Sequence, residues 1–543
     1  MKPNTLRVFN TLHTWVGLMA GWALFIAFFA GAITVFHHEL HVWQNPARLE
    51  GRHVTEVQVD GPAVDAFVQQ LIAAHPDAAN SVYVGLPSKE EPDFNAYWQD
   101  KSGAWQTMNG TRLNGDAAAR NDTSLDHATG ELSAFLNALH YSLGLGMNGM
   151  YFMGVISILY GLALVSGVLL HLPRLKKDLF AVRPGRNLKR FWMDTHNVLG
   201  LFSLPFHLIF AITGAFFCLS LIMVMVFNVL TFDGKLMEVV PRVTGATPEV
   251  TAAGRPSPTM PAAQLLAIAR EHGGDRFTPE AIRFQHYGDA NALAEVRGDS
   301  TRALGNGGSV GIHAAAAEPE AGKLIANQTA GARDTNHMVY SAMFALHYGT
   351  YGDLAMRIVY LLAGLAGAFL FYSGNLLWIE TRRKTRQAEQ PRVHRLLAQA
   401  TVGVCIGTCI GVALCFTAAL LWPEQAVSHV FWPTFIASVG WALIRHPARA
   451  AVELLWIAAI ATLGVPLSNA ILTGDHFIVA ALNGRGAVAG FDIGAIELAA
   501  GYVALARATL RRARGGPAES VWALRSASPN TQQTEEPAAL ERV

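Results

Sequence analysis

HTWVGLMAGW at residues 13–22 and HNVLGLFSLP at residues 196–205 decide how this chain is read. Each opens on a histidine and runs into an apolar segment long enough to cross a bilayer, for which about 20 apolar residues suffice. A glycine follows each histidine four residues on, Gly17 and Gly200, and another follows 18 residues on, Gly31 and Gly214. The agreement continues downstream. ALHY, containing His140, approaches a second apolar segment, and another ALHY, containing His347, approaches a fourth. From each of these histidines it is 26 residues to a Ser-Gly pair, Ser166-Gly167 and Ser373-Gly374. The first four spans therefore read as two copies of one unit: span, exterior domain, span. Two copies related by a pseudo-two-fold along the membrane normal bring equivalent helices together.

Composition supports a membrane setting. Of 543 residues, 51% are hydrophobic and 15% charged, against about 25% charged in a soluble domain. Mean hydropathy is +0.27. Eight spans are expected, near 13–37, 145–171, 196–228, 353–379, 397–421, 429–445, 452–473 and 487–508. The first is read as a retained helix, since no small-residue cleavage site follows it. Lys and Arg crowd the segments after spans two, four, six and eight, which places both termini in the cytoplasm. The long segments 38–139 and 229–346 then lie on the periplasmic side of a bacterial inner membrane. A net charge of +1 gives no reason to expect nucleic acid as a partner; the lipid bilayer is the expected one. Cys218, Cys405, Cys409 and Cys415 all lie in apolar runs, so no disulfide framework is expected.

The expected fold is an all-α polytopic membrane bundle of about eight spans carrying two α+β exterior domains. By residue, 1–37 is the first transmembrane helix and 38–139 the first exterior domain. Residues 140–228 hold helices two and three with a basic cytoplasmic loop, and 229–346 the second exterior domain. Residues 347–385 form the fourth helix, 386–515 four additional helices, and 516–543 a disordered cytoplasmic tail rich in Ser, Gln, Pro and Glu. In the exterior domains PAVDAFVQQLIAAHP and PAAQLLAIAREHG have helical periodicity, while SVYVGLP, FNAYWQD, IRFQHYG and LAEVRG suit strands. GNGGSVGIHAAAAEPEAG reads as a loose loop.

Ionisable residues beside spans point to function, and nine of the 20 histidines stand there: His13, His37, His38, His41, His140, His171, His196, His207 and His347. Neutral imidazoles from facing helices are the usual axial ligands of a buried haem. The repeat pairs His13 with His196 near the cytoplasmic face and His140 with His347 near the exterior face, which makes places for two haems b at two depths. His207 breaks the symmetry, because Leu24 stands at the matching place in span one. It follows His196 by 11 residues, about 20° away on one helix face and roughly 16 Å along it, so it is a further candidate ligand. Taken singly, any of these histidines suits an interfacial residue satisfied by water or headgroups, and His37, His38 and His41 have a spacing that suits a metal. GRGAVA at 484–489 follows no strand and is set aside as a dinucleotide motif. No P-loop and no soluble flavin or nicotinamide domain is found, so reductant has to come from a partner, from membrane quinol or from a cytoplasmic donor.

The chain resembles the PepSY-associated transmembrane proteins. The residues that carry the resemblance are LHTWVGL at 12–18, DHATGEL at 126–132, ALHY at 138–141, SGVLLHLPR at 166–174, THNVLGL at 195–201 and ALHYG at 345–349. Together they cover roughly residues 1–385. That family includes bacterial inner-membrane ferrisiderophore reductases holding b-type haem. The resemblance implies PepSY-like exterior domains, His13, His140, His196 and His347 as iron ligands, and reduction of a ferric siderophore or other ferric chelate with release of ferrous iron. The second exterior domain has no clean match to DHATGEL, and the four spans of 386–515 lie beyond the resemblance. A competing reading is a non-redox permease or metal-uptake component, which Asp492 and Glu497 in the last span favour. A third treats the exterior domains as binding or peptidase-regulating modules on an anchor.

Overall fold

The computed structural model describes residues 3–44, 61–87, 94–110, 131–172, 188–236, 247–300, 304–305, 307–383, 390–422 and 426–524. Most of DHATGEL, most of the basic segment after span two and residues 525–543 lie outside these, as do the side chains of His38 and His41. In chain order the elements are α1 (Pro3–Thr34), α2 (His37–Gln44), α3 (Gly61–Ala74), β1 (Ser81–Gly85), β2 (Asn95–Gln99) and β3 (Trp105–Asn109). Then come α4 (Glu131–Ser142), α5 (Gly146–His171), α6 (Leu188–Phe202), α7 (Leu204–Leu230), α8 (Ala262–Gly273), β4 (Phe277–Gln285), β5 (Leu293–Ser300), β6 (Gly308–His313) and β7 (Leu324–Asn327). The remainder is α9 (Thr335–Tyr348), α10 (Leu354–Thr381), α11 (Arg392–Leu421), α12 (Ser428–Ile444), α13 (Pro447–Leu472), α14 (Phe477–Leu482) and α15 (Gly486–Gly515).

Among the described residues seven helices are long and apolar enough to cross a membrane: α1, α5, α7, α10, α11, α13 and α15. The expected sixth span is α12, whose 17 residues include Pro433. At 1.5 Å per residue it covers only about 26 Å, short of a hydrocarbon core of about 30 Å. The expected third span, 196–228, is two helices. Pro205 has no N–H to give to the preceding turn, so the ladder is interrupted there. Single bonds, Ser203 N–H to the Leu199 carbonyl and His207 N–H to the Ser203 carbonyl at 3.0 Å each, carry the chain across the break. His196 and His207 consequently stand on different helices, not on one helix face.

The chain divides into two compact units. The first comprises Met1–Pro46, Gly130–Ile212 and Leu362–Val543. In it α1 packs on α4, α5 and α11, and α11 packs on α12 and α13. Glycines let these helices close up: a Cβ at Gly403 would stand 2.8 Å from the Val439 Cα, and one at Gly411 2.8 Å from the Phe431 ring. Such small-residue contacts substitute for the hydrophobic drive that lipid does not provide. Asp492 is fully buried, and its oxygens accept from Trp43 Nε1 and Asn469 Nδ2 at 3.1 Å each. This pins α2 to α13 and α15. The start of the expected disordered tail is folded instead. Ser520 Oγ donates to the buried Glu380 carboxylate at 3.3 Å, Glu519 pairs with Arg383, and Leu524 N–H donates to the Ala513 carbonyl at 2.9 Å.

The second unit, Ala47–Thr129 and Thr213–Leu361, corrects the expectation of two separate exterior domains. The two segments share one seven-stranded antiparallel sheet in the order β3-β2-β1-β4-β5-β6-β7. β1 alternates inward Val82 and Val84 with outward Ser81 and Tyr83, and its edge is covered by β4 from the other segment, with Tyr83 opposite Arg283. A half-sheet of three strands would leave β1 with a bare edge open to stray strands; pairing removes that edge. α3 and α8 cover the same face, and Phe67, Leu71, Leu265, Phe284 and Ile312 belong to one buried cluster. Asp65 of α3 also accepts from the Ala262 N–H at 2.9 Å, so one segment caps the other's helix. The loop expected at 305–322 contains β6. There a Cβ on Gly308 would stand 2.7 Å from the Thr329 Cα and one on Gly311 2.9 Å from Thr247, so these glycines serve close approach inside a strand.

Two outcomes follow. Asp492→Ala leaves the buried Trp43 Nε1 without its acceptor, at a cost of about 1–3 kcal/mol, while Asn469 Nδ2 keeps the Asp475 carbonyl at 2.9 Å; the melting temperature of the purified full chain in detergent is expected to fall by several degrees. In the β2–β3 turn, Ser102 Oγ and Gln106 Nε2 donate to the Asp100 carboxylate at 2.6 and 2.8 Å, and the Ala104 and Ser102 N–H groups add to them. These bonds hold its pKa at about 2, below the ordinary value of about 3.9. The turn's contribution is therefore complete above about pH 4 and lost as pH falls toward 2. A carbon-13 NMR titration of the Asp100 carboxyl is expected to show its midpoint near 2 in wild type.

Candidate functional site

On α1 the residues His13, Gly17, Gly21, Leu24, Phe28 and Gly31 recur every three or four positions and so form one face. This stripe places the site. His13 Nδ1 lies 2.8 Å from the Ala163 carbonyl of α5. A carbonyl only accepts, so Nδ1 carries the proton and Nε2 of the neutral ring keeps its lone pair. The ring rests on Gly167, where a Cβ would stand 3.0 Å from its Cε1. Ser166 turns its hydroxyl back to Leu162 and Ala163.

His196 of α6 is seated in a similar way on α10. Its Nδ1 is 3.3 Å from Ser373 Oγ, whose own proton goes to the Leu370 carbonyl at 3.0 Å; the imidazole is again the donor through Nδ1. A Cβ on Gly374 would stand 3.3 Å from its Cε1. The Ser-Gly pairs singled out in the sequence are thus the beds of two imidazoles. The His13 and His196 rings lie 6.2 Å apart at 81°. Two imidazoles that share one metal, each nitrogen about 2 Å from it, hold their centroids roughly 6 Å apart. One turn along from His13, a Cβ on Gly17 would meet nothing within 4 Å, so a flat group has room beside the pair.

His140 of α4 reaches the far end of the same stripe. Its Nδ1 donates to the Ala27 carbonyl at 2.8 Å, and a Cβ on Gly31 would stand 2.5 Å from that nitrogen. His207 of α7 is fully buried. Tyr160 shares a short hydrogen bond with its Nδ1, and Phe28 lies 5.6 Å from it. Phe371 and Phe210 complete the aromatic wall around Phe28, at 5.1 and 5.7 Å. A Cβ on Gly367 would stand 2.9 Å from the His207 Cε1. Its Nε2 is buried and has no hydrogen-bond partner among the described residues, an arrangement that costs about 1–3 kcal/mol unless a ligand meets it. Phe28 and Gly31 are one turn apart, so His207 and His140 meet α1 at neighbouring levels, about 22–27 Å along the helix from His13.

His347 belongs to the second unit, in the last turn of α9. Its Nδ1 is 2.7 Å from Thr213 Oγ1, and Phe217 stands edge-on at 5.1 Å. His37 is exposed and His171 half-buried at the end of α5. His394, which the sequence reading did not single out, is buried on α11 with its ring 5.4 Å from Trp378. Among the described residues no group of three or more His, Cys, Asp or Glu gathers as a metal site. His13 and His196 are a pair of imidazoles whose Nδ1 atoms are held by a carbonyl and a hydroxyl as those of metal-binding histidines are. They suit an iron whose other four positions a macrocycle fills.

A family model described as the PepSY-associated TM region matches residues 11–381. An uncharacterized protein of Pseudomonas aeruginosa is 28% identical over 322 residues, which is 57% of this chain and 78% of that protein. The match takes in α1, α5, α6, α7 and α10 and every histidine of the stripe, and it ends where α10 ends. The chain is a multi-pass membrane protein and belongs to the PepSY-associated transmembrane family.

Proposed function

We propose that the chain is a haem-b electron-transfer protein of the bacterial inner membrane that reduces a ferric chelate, with a ferric siderophore as the substrate and ferrous iron as the product. The observation that carries this is the His13–His196 pair: two imidazoles from different helices at the separation and angle of shared axial ligands, each tethered through Nδ1 and each seated on a glycine. Bound there, haem supplies an iron centre that takes and gives single electrons. The Ala163 carbonyl and Ser373 hydroxyl keep the Nδ1 protons in place, which fixes each ring and raises the basicity of Nε2. A second haem is assigned to the other end of the stripe. His140 supplies one ligand; the sequence repeat offers His347 as the other, and the unpartnered Nε2 of His207 makes it the alternative. The two internal copies, both termini in the cytoplasm and a quinol or cytoplasmic reductant as donor belong to the same reading. The carboxylate that motivated a permease, Asp492, is already engaged by Trp43 and Asn469, and Glu497 is exposed on its helix.

The purified protein from haem-replete cells is expected to show a Soret band and a sharp reduced α-band; a colourless preparation sinks the reading. His13→Ala and His196→Ala are each expected to remove about half of the haem absorbance, and the double variant no more than that. Among His140→Ala, His347→Ala and His207→Ala, the two that lose the other half identify the outer pair. Haem content by pyridine haemochrome checks all six. Dithionite-reduced protein mixed with a ferric siderophore is expected to reoxidise in a stopped-flow trace, with ferrous iron trapped by ferrozine.

A further inference from the structure

The histidine stripe leaves one part of the first unit unused, the junction of α1, α10 and α11. Asn375 of α10 is 2% exposed and lies against Gly21, where a Cβ would stand 3.2 Å from its Oδ1 and 3.5 Å from its Nδ2. Its Nδ2 has no acceptor among the described residues. One turn on, the Trp378 Nε1 is also buried without an acceptor. The Trp378 ring meets Trp15 of α1 at 6.5 Å and His394 of α11 at 5.4 Å. Trp22 Nε1 donates to Thr401 Oγ1 at 3.1 Å, closing α1 against α11 above this point.

Two orphan N–H donors three residues apart on one helix lie on adjoining faces, about 5–6 Å apart at Cβ. Left unmet they cost stability. A ligand that satisfies both has two acceptor oxygens and a flat body for the indole edges left open beside the Arg382 guanidinium, which lies over the Trp378 ring at 4.3 Å, and it arrives through lipid, since Trp15 is 51% exposed on the helix surface. Those are the properties of a quinone headgroup. Asn375 directly follows Gly374, the bed of His196, so a ring held here lies at the level of the inner imidazole pair, about 100° around α10 from it. His394 and Thr401 come from α11, beyond the family match at 11–381.

We propose that the α1–α10–α11 junction binds the headgroup of a membrane quinol and is the electron entry to the His13–His196 site; the electron-transfer part rests on the function proposed above. Oxidation of the quinol breaks two O–H bonds and forms two carbonyls. An iron centre held by His13 and His196 would take its two electrons singly, the chelate reoxidising it between them, and its two protons would leave by way of His394, whose ring lies 5.4 Å from Trp378. The C-terminal helices thereby supply one wall of a redox site whose other walls belong to the family core.

The test uses the full-length chain in detergent, equilibrium dialysis of tritiated decylubiquinone, and photolabelling with an azido-ubiquinone. One saturable site per chain is expected, with label on peptides of α1, α10 or α11. Asn375→Leu and Trp378→Phe are each expected to weaken binding about fivefold. Quinone is expected to raise the melting temperature of wild type but not of the double variant. Absence of saturable binding, label elsewhere, or wild-type affinity in both variants overturns the site. Displacement of the quinone by equimolar phosphatidylcholine assigns the donors to lipid esters and overturns it too. Haem absorbance is read on the same samples: a colourless protein that binds quinone keeps the site and sinks the electron-transfer reading, whereas a coloured one that does not bind sinks the site alone.

Discussion

The arrangement of the first unit depends on imidazole rings lying on glycines. A histidine inside a helix bundle needs room for its ring and a partner for its N–H. At Gly167, Gly374, Gly31 and Gly367 the missing Cβ is where the ring goes, and a nearby carbonyl or hydroxyl takes the Nδ1 proton of His13, His140 and His196. With the ring and one nitrogen fixed, the other nitrogen has a direction. The α1 stripe then sets the order of these groups along the membrane normal, because every seat touches it or faces a helix that does.

That physics explains what was readable beforehand. The His, Gly and Ser-Gly spacings are local marks of the seats, so the repeat pointed to His13, His140, His196 and His347, while His207 entered as a further candidate through its place 11 residues after His196. His207 carried the same kind of seat, but its glycine, Gly367, has no matching partner in the other copy to draw the eye. His394 gave no sign at all, because its interest comes from α11 lying beside Trp378, a contact made across helices. The helices and the strands β1, β2, β4 and β5 were legible from the sequence pattern. β6 was not, since Gly308 and Gly311 read as a loop until the backbones they admit are known. The break at Pro205 was visible in the letters and was overridden by the apolar run around it.

The merging of the two segments expected as separate domains was the largest difference. Each segment has a helix and strands that look complete by composition, and nothing within either one announces an open edge. The pairing of β1 with β4 joins residues some 200 positions apart, a non-local choice that strand periodicity does not encode. Asp65 capping α8 is the polar counterpart of that choice.

The shared sheet also fixes an order of events during synthesis. β1 to β3 leave the ribosome first, yet the strand that closes the β1 edge is not made until α5, α6 and α7 have been synthesised. Through that interval the first segment carries a bare, partly apolar strand, the kind of edge that recruits stray strands. Insertion of the middle helices and protection of that edge are thus coupled steps, and a chain stalled between residues 109 and 277 is the form of this protein most prone to aggregate.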